Sequence, residues 1–297
     1  MGRLSVIDVG SNTIHLLVGE VTKKGVLPVT GEKVSARLGS GVEKTGSIDS
    51  ERLELAVRAI ALFARIAALN GAEEPEILAT SAVRDAKNGQ DLARRVEAET
   101  GLSMRLISGE EEAVLGFKGA VSAVGDPWEG PALVVDLGGG SAQFILGEAS
   151  AGPLMQISLP LGSNRTTERF IENDPPKKKE LKALDDHVKE MLPDWQIVQN
   201  VPVIAVGGSA RAILKLTSDK LTAERLRTLA DELREIKSAE LARDHGLAPE
   251  RARVVPAAVT TLAAVLEHFG REELNVVRGG LREGTLISLS ERSEGGE

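Results

Sequence analysis

The chain's 297 residues exceed what one hydrophobic core usually holds, so two domains are expected. With 42% apolar and 27% charged residues it has an ordinary globular composition; zero cysteines exclude disulfides, thiolate metal sites and a Cys nucleophile, and no window approaches the ~18 uninterrupted apolar residues of a membrane helix. A net charge of −8 argues against general nucleic-acid binding, which needs a basic field, and aromatics at 2% with no Tyr leave no base-stacking platform.

Met1-Gly2-Arg3 leads straight into a strand and leaves no room for a signal peptide, which with the missing cysteines points to the cytoplasm and to no membrane partner. Val6 to Glu20 then reads as strand, Asp-x-Gly turn, strand, with Asp8 at the strand's mouth and Gly10-Ser11-Asn12-Thr13 in the turn. Gly25 and Pro28 mark a turn, and Val29 to Leu38 reads as a strand running into Arg37-Leu38-Gly39. Asp49 or Ser50 caps a helix whose Leu53, Ala56, Val57, Ile60, Phe63, Ala64 and Ala67 keep helical spacing, and Asn70-Gly71 ends it. Glu76 to Thr80 is a short buried strand, Ser81 to Asn88 a loop carrying Arg84, Gln90 to Thr100 a helix stopped by Gly101, and Leu102 to Ile107 a strand. Strands and helices alternate, so the class is α/β. Glu110 to Val124 is helical by pattern, and Gly125 to Pro131 breaks it at the expected domain boundary.

Val134-Val135-Asp136-Leu137-Gly138-Gly139-Gly140-Ser141 is an apolar run that stops on a carboxylate and then loses its side chains. The bare N–H groups of such a turn can close around phosphate oxygens, and Asp136 can hold a divalent cation against the same phosphate. Taken alone, the pattern also fits a tight hairpin capped by Asp. The repetition favours the phosphate-binding turn: laid over Val134 to Glu148, Val6 to Glu20 coincides at the Val, the Asp, the first Gly, the final Gly and the Glu without a gap. A repeated half suggests two related domains, each offering a phosphate-gripping hairpin to a shared cleft.

Leu154 to Leu159 continues the meander, and Thr166 to Ile171 starts a helix near Arg165. Pro175-Pro176-Lys177-Lys178-Lys179 opens a helix from Lys177 to Leu192 that Pro193 closes, its lysines reading as a solvated first turn rather than a polyanion track. Val201 to Val206 is a strand ending in Gly207-Gly208-Ser209. Helices from Thr222 to Ile236, Ser238 to Asp244 and Pro249 to Phe269 follow, then a strand from Leu274 to Val277, Gly279-Gly280 and a last helix from Leu281. His15, His187, His245 and His268 form no metal constellation, and His15 reads as a hydrogen-bonded strand histidine.

The two Asp-x-Gly loops, with Arg37-Leu38-Gly39, Ala79-Thr80-Ser81-Ala82-Val83-Arg84-Asp85-Ala86, Ile107-Ser108-Gly109-Glu110-Glu111-Glu112-Ala113, Leu159 to Arg165 and Val206 to Ser209, resemble the exopolyphosphatase / guanosine pentaphosphate phosphohydrolase family. The resemblance runs from residue 4 to about residue 289 and implies the fold of the actin, sugar-kinase and heat-shock-ATPase superfamily. It implies two ribonuclease-H-like domains, 1–124 and 125–280, around an interdomain cleft, with the last helix, 281–297, packing back on the first. Longer members carry further C-terminal helical domains, so this chain is expected to keep the two-domain catalytic core.

Carried over residue by residue, the resemblance makes Glu112 the catalytic base that deprotonates the attacking water, while Glu110 and Glu111 suit a helix's first turn on macrodipole grounds alone. Asp8 and Asp136 would hold Mg²⁺, with Mn²⁺ as the alternative ion; Glu148 and Glu20 are weaker candidates that fit surface positions equally well. Gly10, Ser11, Asn12, Thr13, Gly138, Gly139, Gly140 and Ser141 supply donors, and Arg37, Arg84 and Arg165 fork onto phosphate oxygens. Gly207 and Gly208 line the cleft where nucleotide-binding relatives cradle adenosine. The expected activity is release of terminal orthophosphate from inorganic polyphosphate. Guanosine pentaphosphate hydrolysis is the nearest alternative. A kinase of the superfamily is disfavoured by Glu112 and by the lack of a recognisable sugar-binding acid; a sensor of polyphosphate or guanosine tetraphosphate is the non-enzyme alternative. A homodimer is left open.

Overall fold

The computed structural model describes residues 2–124, 130–197 and 201–294. Of the expected boundary stretch, 125–129 lies outside the described residues, as does 295–297 of the last helix. The chain divides into two compact units, Met1–Pro127 with Gly279–Glu297, and Trp128–Arg278.

In the first unit, strands β1 (Leu4–Val9), β2 (Ile14–Thr22) and β3 (Gly25–Val34) form an antiparallel meander. Helices α1 (Val42–Thr45) and α2 (Ser50–Leu69) lead to β4 (Glu76–Ala79); α3 (Ser81–Arg84) and α4 (Gly89–Thr100) lead to β5 (Met104–Leu106), and α5 (Gly109–Ser122) follows. The sheet order is β3-β2-β1-β4-β5, with β4 and β5 parallel to β1. β1 is buried along nearly its whole length, as its apolar run demands of a central strand covered on both faces. Asp49 caps α2, its side chain accepting from Glu51 N and Arg52 N, and Asn70 ends it.

Local chemistry shifts two expected boundaries. The turn after β2 lies at Thr22 to Gly25, where Thr22 Oγ1 donates to Gly25 O at 2.9 Å, so Pro28 sits inside β3. Pro28 pairs with Gly19 at the point where the register shifts, and the missing N–H is tolerated because β3 is an edge strand. At its other end β3 stops at Val34, and Arg37 takes a left-handed φ of 49°, which no strand continues. Arg84 ends a helical turn, α3, inside the stretch expected to be a loop.

The second unit repeats the plan. β6 (Pro131–Leu137), β7 (Ala142–Glu148) and β8 (Gly152–Leu159) form the meander, followed by α6 (Ser163–Phe170), α7 (Lys178–Met191), β9 (Val203–Val206), α8 (Gly208–Ile213), β10 (Leu221–Thr222), α9 (Ala223–Glu232), α10 (Ser238–His245), α11 (Pro249–His268) and β11 (Glu273–Val276). The order β10-β11-β9-β6-β7-β8 keeps β9 and β11 parallel to β6 and adds β10 as an antiparallel edge. A three-stranded meander extended by parallel strands with intervening helices is the ribonuclease-H-like arrangement, and its recurrence makes these a pair of actin-like domains. α11 is buried from Val254 to Leu266 and packs against α7, α8 and α9, as a helix apolar all round must. The six-residue α8 was not expected from sequence, being too short for a periodic pattern and headed by two glycines.

The last helix, α12 (Leu281–Glu294), belongs to the first unit and packs on α5. Two glycines permit the approach: a Cβ on Gly284 would stand 1.8 Å from Leu115 O, and one on Gly119 2.0 Å from Gly280 O. Among the described residues, no helix is long and apolar enough to cross a membrane.

Candidate active site

In each unit the parallel strands end along one sheet edge, and the loops that follow carry the polar residues, the usual position for a ligand in an α/β sheet. In the first unit Val9 O accepts from Thr80 N at 3.3 Å and Ala79 O from Ile107 N at 3.0 Å. The loops after β1, β4 and β5, bearing Asp8 to Thr13, Ser81 to Arg84 and Ser108 to Glu112, therefore leave the same edge. In the second unit Asp136 is in register with Val206, so the loops Gly138 to Ser141 and Gly207-Gly208 leave together.

The first Asp-x-Gly turn closes with Gly10 N donating to Thr13 O at 3.2 Å, the second with Gly138 N donating to Ser141 O at 3.0 Å. The remaining carbonyls are satisfied from behind. Asn12 O accepts from Arg37 N at 2.9 Å and Ser11 O from Gly39 N at 2.8 Å. Gly138 O accepts from Ser163 N at 2.9 Å, and Gly139 O from Asn164 N at 2.9 Å and Arg165 N at 3.1 Å. With its acceptors occupied, each turn presents N–H groups, the requirement for an anion nest. Close backbone approach makes this possible: a Cβ on Gly162 would stand 2.4 Å from Gly140 C and from Ser141 N, and one on Gly39 3.2 Å from Ser11 Cβ.

Gly39, Gly162 and Ser163 were missed as site residues. The signal was present, since Leu38-Gly39-Ser40 recurs as Leu161-Gly162-Ser163 just beyond the third strand of each unit, with Leu38 and Leu161 both fully buried. The register also sets His15 opposite Asp8 and Gln143 opposite Asp136, equivalent places of which only the first was singled out.

Ser11 Oγ lies 3.2 Å from Ser81 Oγ, joining the first turn to α3 and so to Arg84. Arg84 donates to Ile107 O at 2.9 Å and approaches Glu112 Oε2 to 3.8 Å, which places Glu112 beside a guanidinium with 18% of its side chain exposed. The three consecutive glutamates are thereby told apart. Glu110 is fully exposed, and its own N–H first and the Ser108 hydroxyl second hold its carboxyl below the usual range. Glu111 pairs with Arg105 at 2.8 Å, and of the three glutamates Glu112 is the one within ion-pair distance of Arg84, which also reaches Asp85 at 3.5 Å.

Arg37 and Arg165 are exposed, each contributing a backbone N–H to a turn carbonyl. Gly207 has φ of 101°, and a Cβ there would meet Leu137 O at 2.6 Å and Asp136 Oδ1 at 3.1 Å, so its backbone lies directly against the strand end that bears Asp136. Glu148 is not brought to this edge: it pairs with Pro131 and Gly152 at the other end of β7, ~20 Å from Ala142 at ordinary strand rise. Glu20, paired with Leu27, likewise lies at the far end of its hairpin.

Among the described residues no three His, Asp or Glu side chains cluster, so no all-protein metal cage exists. Single carboxylates beside such turns supply the oxygen donors that a hard divalent cation takes. Asp8 and Asp136 have that character, each half-buried at a strand end with hard oxygen donors.

Comparisons with known proteins show the family to which the chain belongs. The profile described as the Ppx/GppA phosphatase family matches residues 17–293. Exopolyphosphatase 1 of Mycobacterium tuberculosis is 31% identical over 303 residues, spanning 96% of this chain and 87% of that protein. Among solved structures, a Ppx/GppA family member from Aquifex aeolicus superposes with a TM-score of 0.84 at 26% identity, and an exopolyphosphatase from Cytophaga hutchinsonii with 0.83 at 26%, each covering 98% of both chains. A family profile over most of the length, and a relative above 30% identity across nearly all of it, establish that the chain belongs to the Ppx/GppA phosphatase family.

Proposed function

We propose that this phosphatase is an exopolyphosphatase, releasing terminal orthophosphate from inorganic polyphosphate by attack of water. The observation that carries the reading is the doubled turn: both Asp-x-Gly loops close with a first-glycine N–H, spend most of their carbonyls on their own unit, and leave the N–H groups that follow for an anion. The named activity of the mycobacterial relative supports the same substrate class. Glu112 accepts a proton from the attacking water, whose oxygen bonds to the terminal phosphorus in line as the bridging P–O bond breaks. The shortened chain leaves with the electron pair, and the proton on Glu112 passes to solvent. Arg84 holds the Glu112 carboxylate in place, and N–H groups of Ser11 to Thr13 and of Gly139 to Ser141 donate to phosphate oxygens. Arg37 and Arg165 extend the basic grip. Asp8 and Asp136 are the carboxylates that would hold a divalent cation, for which we assign Mg²⁺, and it would supply charge neutralisation to the phosphate.

Guanosine pentaphosphate offers the same terminal anhydride, but aromatics at 2% of the chain supply little for guanine to stack on. Phosphate release from polyphosphate, guanosine pentaphosphate and ATP, measured in parallel with Mg²⁺, tests the reading. Fastest release from polyphosphate is expected. Binding of polyphosphate without release would make the protein a sensor instead.

A further inference from the structure

Behind the second glycine turn lies a buried chain of hydroxyls ending on a guanidinium. Ser163 Oγ donates to Gly138 O at 3.3 Å, Ser163 Oγ and Ser209 Oγ lie 2.7 Å apart, and Arg251 Nη1 donates to Ser209 Oγ at 2.6 Å. Ser163 and Ser209 have no exposed surface. A guanidinium can only donate, so Ser209 Oγ accepts from Arg251; either hydroxyl could supply the hydrogen between the serines, and we assign it to Ser209 because that lets Ser163 donate to Gly138 O and gives every hydroxyl hydrogen an acceptor. All three donors point one way, from α11 through α8 and α6 to the carbonyl of the turn.

Arg251 is the charged end of this chain. Burial first, then the charge of Arg211, lowers its pKa from the ordinary arginine value. Gly208 makes room for it, because a Cβ there would stand 2.7 Å from Arg251 Nη2. Donation into Gly138 O polarises the peptide that carries the Gly139 N–H, and donation from Asn164 and Arg165 into Gly139 O does the same for the Gly140 N–H.

We propose that Ser163, Ser209 and Arg251 form a relay that sets and polarises the glycine turn, and that they are positioning residues for phosphate capture. The inference rests on the reading that this turn receives phosphate. It assigns Gly208 a role different from substrate contact, that of leaving space for the guanidinium. Because the three groups act in series, losing any one link forfeits the relay.

The test is titration of the full-length protein with orthophosphate in the presence of Mg²⁺, alongside KM and kcat for polyphosphate, for Ser209→Ala, Arg251→Met and their double variant. Each single change is expected to weaken phosphate binding and raise KM by about tenfold, the scale of one charge-assisted hydrogen bond, with a much smaller change in kcat. The double variant should lose no more than the worse single one, and Arg251→Lys should recover part of the loss. Unchanged phosphate affinity in folded variants, or losses that simply add, overturns the relay. If Arg251→Met does not fold, Gly208→Ala, which displaces the guanidinium, reads the same link. A wild-type protein that binds phosphate yet releases none from polyphosphate refutes the functional reading, and the phosphate titrations still decide the relay.

Discussion

Glu110, Glu111 and Glu112 are chemically identical and differ only in direction, which makes them a sharp test of the mechanism. Glu112→Gln removes the base with little change in volume and is expected to lower turnover at least ~10²-fold while polyphosphate still binds. Glu111→Gln loses only the Arg105 pair and should leave turnover nearly intact. Steady-state phosphate release with both variants checks this, and near-normal turnover in Glu112→Gln would place the base elsewhere. Asp8→Asn and Asp136→Asn each keep the shape of the strand end but weaken its hold on a hard cation. The expected outcome is a rightward shift of activity against Mg²⁺ concentration in both; two unchanged curves would remove these residues from the metal's surroundings.

Between elements, close packing and ion-pair networks carry comparable weight. α12 docks on α5 through backbone contact at Gly284, so Gly284→Ala forces the helices apart and should cost ~1–3 kcal/mol or more, read from urea denaturation. In the second unit Arg227 grips Glu267 with two bonds of 2.7 Å and also reaches Asp185, while Lys189 bridges Asp185 at 3.0 Å and Glu267 at 2.9 Å, tying α7, α9 and α11 together. The Arg227 hydrogen bonds, and secondarily Lys189, hold the Glu267 carboxyl at about 2 against its ordinary 4.5. A depressed carboxyl stabilises the fold above its unfolded value, and that contribution is lost as pH falls from about 4.5 through about 2. The stability difference between wild type and Glu267→Gln should therefore be full at neutral pH and shrink across that window. A pH-independent difference would show that the network does not act through the charge of Glu267.

Over the whole molecule, a net charge of −8 repels a long polyanion everywhere except at local basic groups. The lysine run opens α7 with exposed side chains, while the buried Glu180 organises the turn beneath it, accepting from Lys177 N at 2.7 Å and Asn173 Nδ2 at 2.7 Å. So short a track should saturate after a few phosphates. We expect kcat/KM to level off with polyphosphate chain length and intermediate lengths to accumulate on a gel. Degradation of chains of several hundred phosphates without intermediates would require a basic surface beyond this run.

The sequence by itself determined the meanders, the long helices and the two Asp-x-Gly turns, because these rest on local periodicity, capping and glycine chemistry: Asp49 caps α2 and Asp136 precedes a bare turn whatever lies far along the chain. It also carried the family, since the motifs are contiguous. The tertiary structure alone decided which groups serve those turns. Arg37 N and Gly39 N close the first turn from beyond β3, Ser163 N closes the second, and Arg251 reaches Ser209 from a helix 42 residues away. Periodicity is blind to such contacts, which depend on glycines letting two backbones approach and on a donor finding the carbonyl left over. Glu148, equivalent to Glu20 in the repeat, was a weaker ligand candidate in the sequence, and the length of β7 carries it to the end of the strand away from the glycine turn.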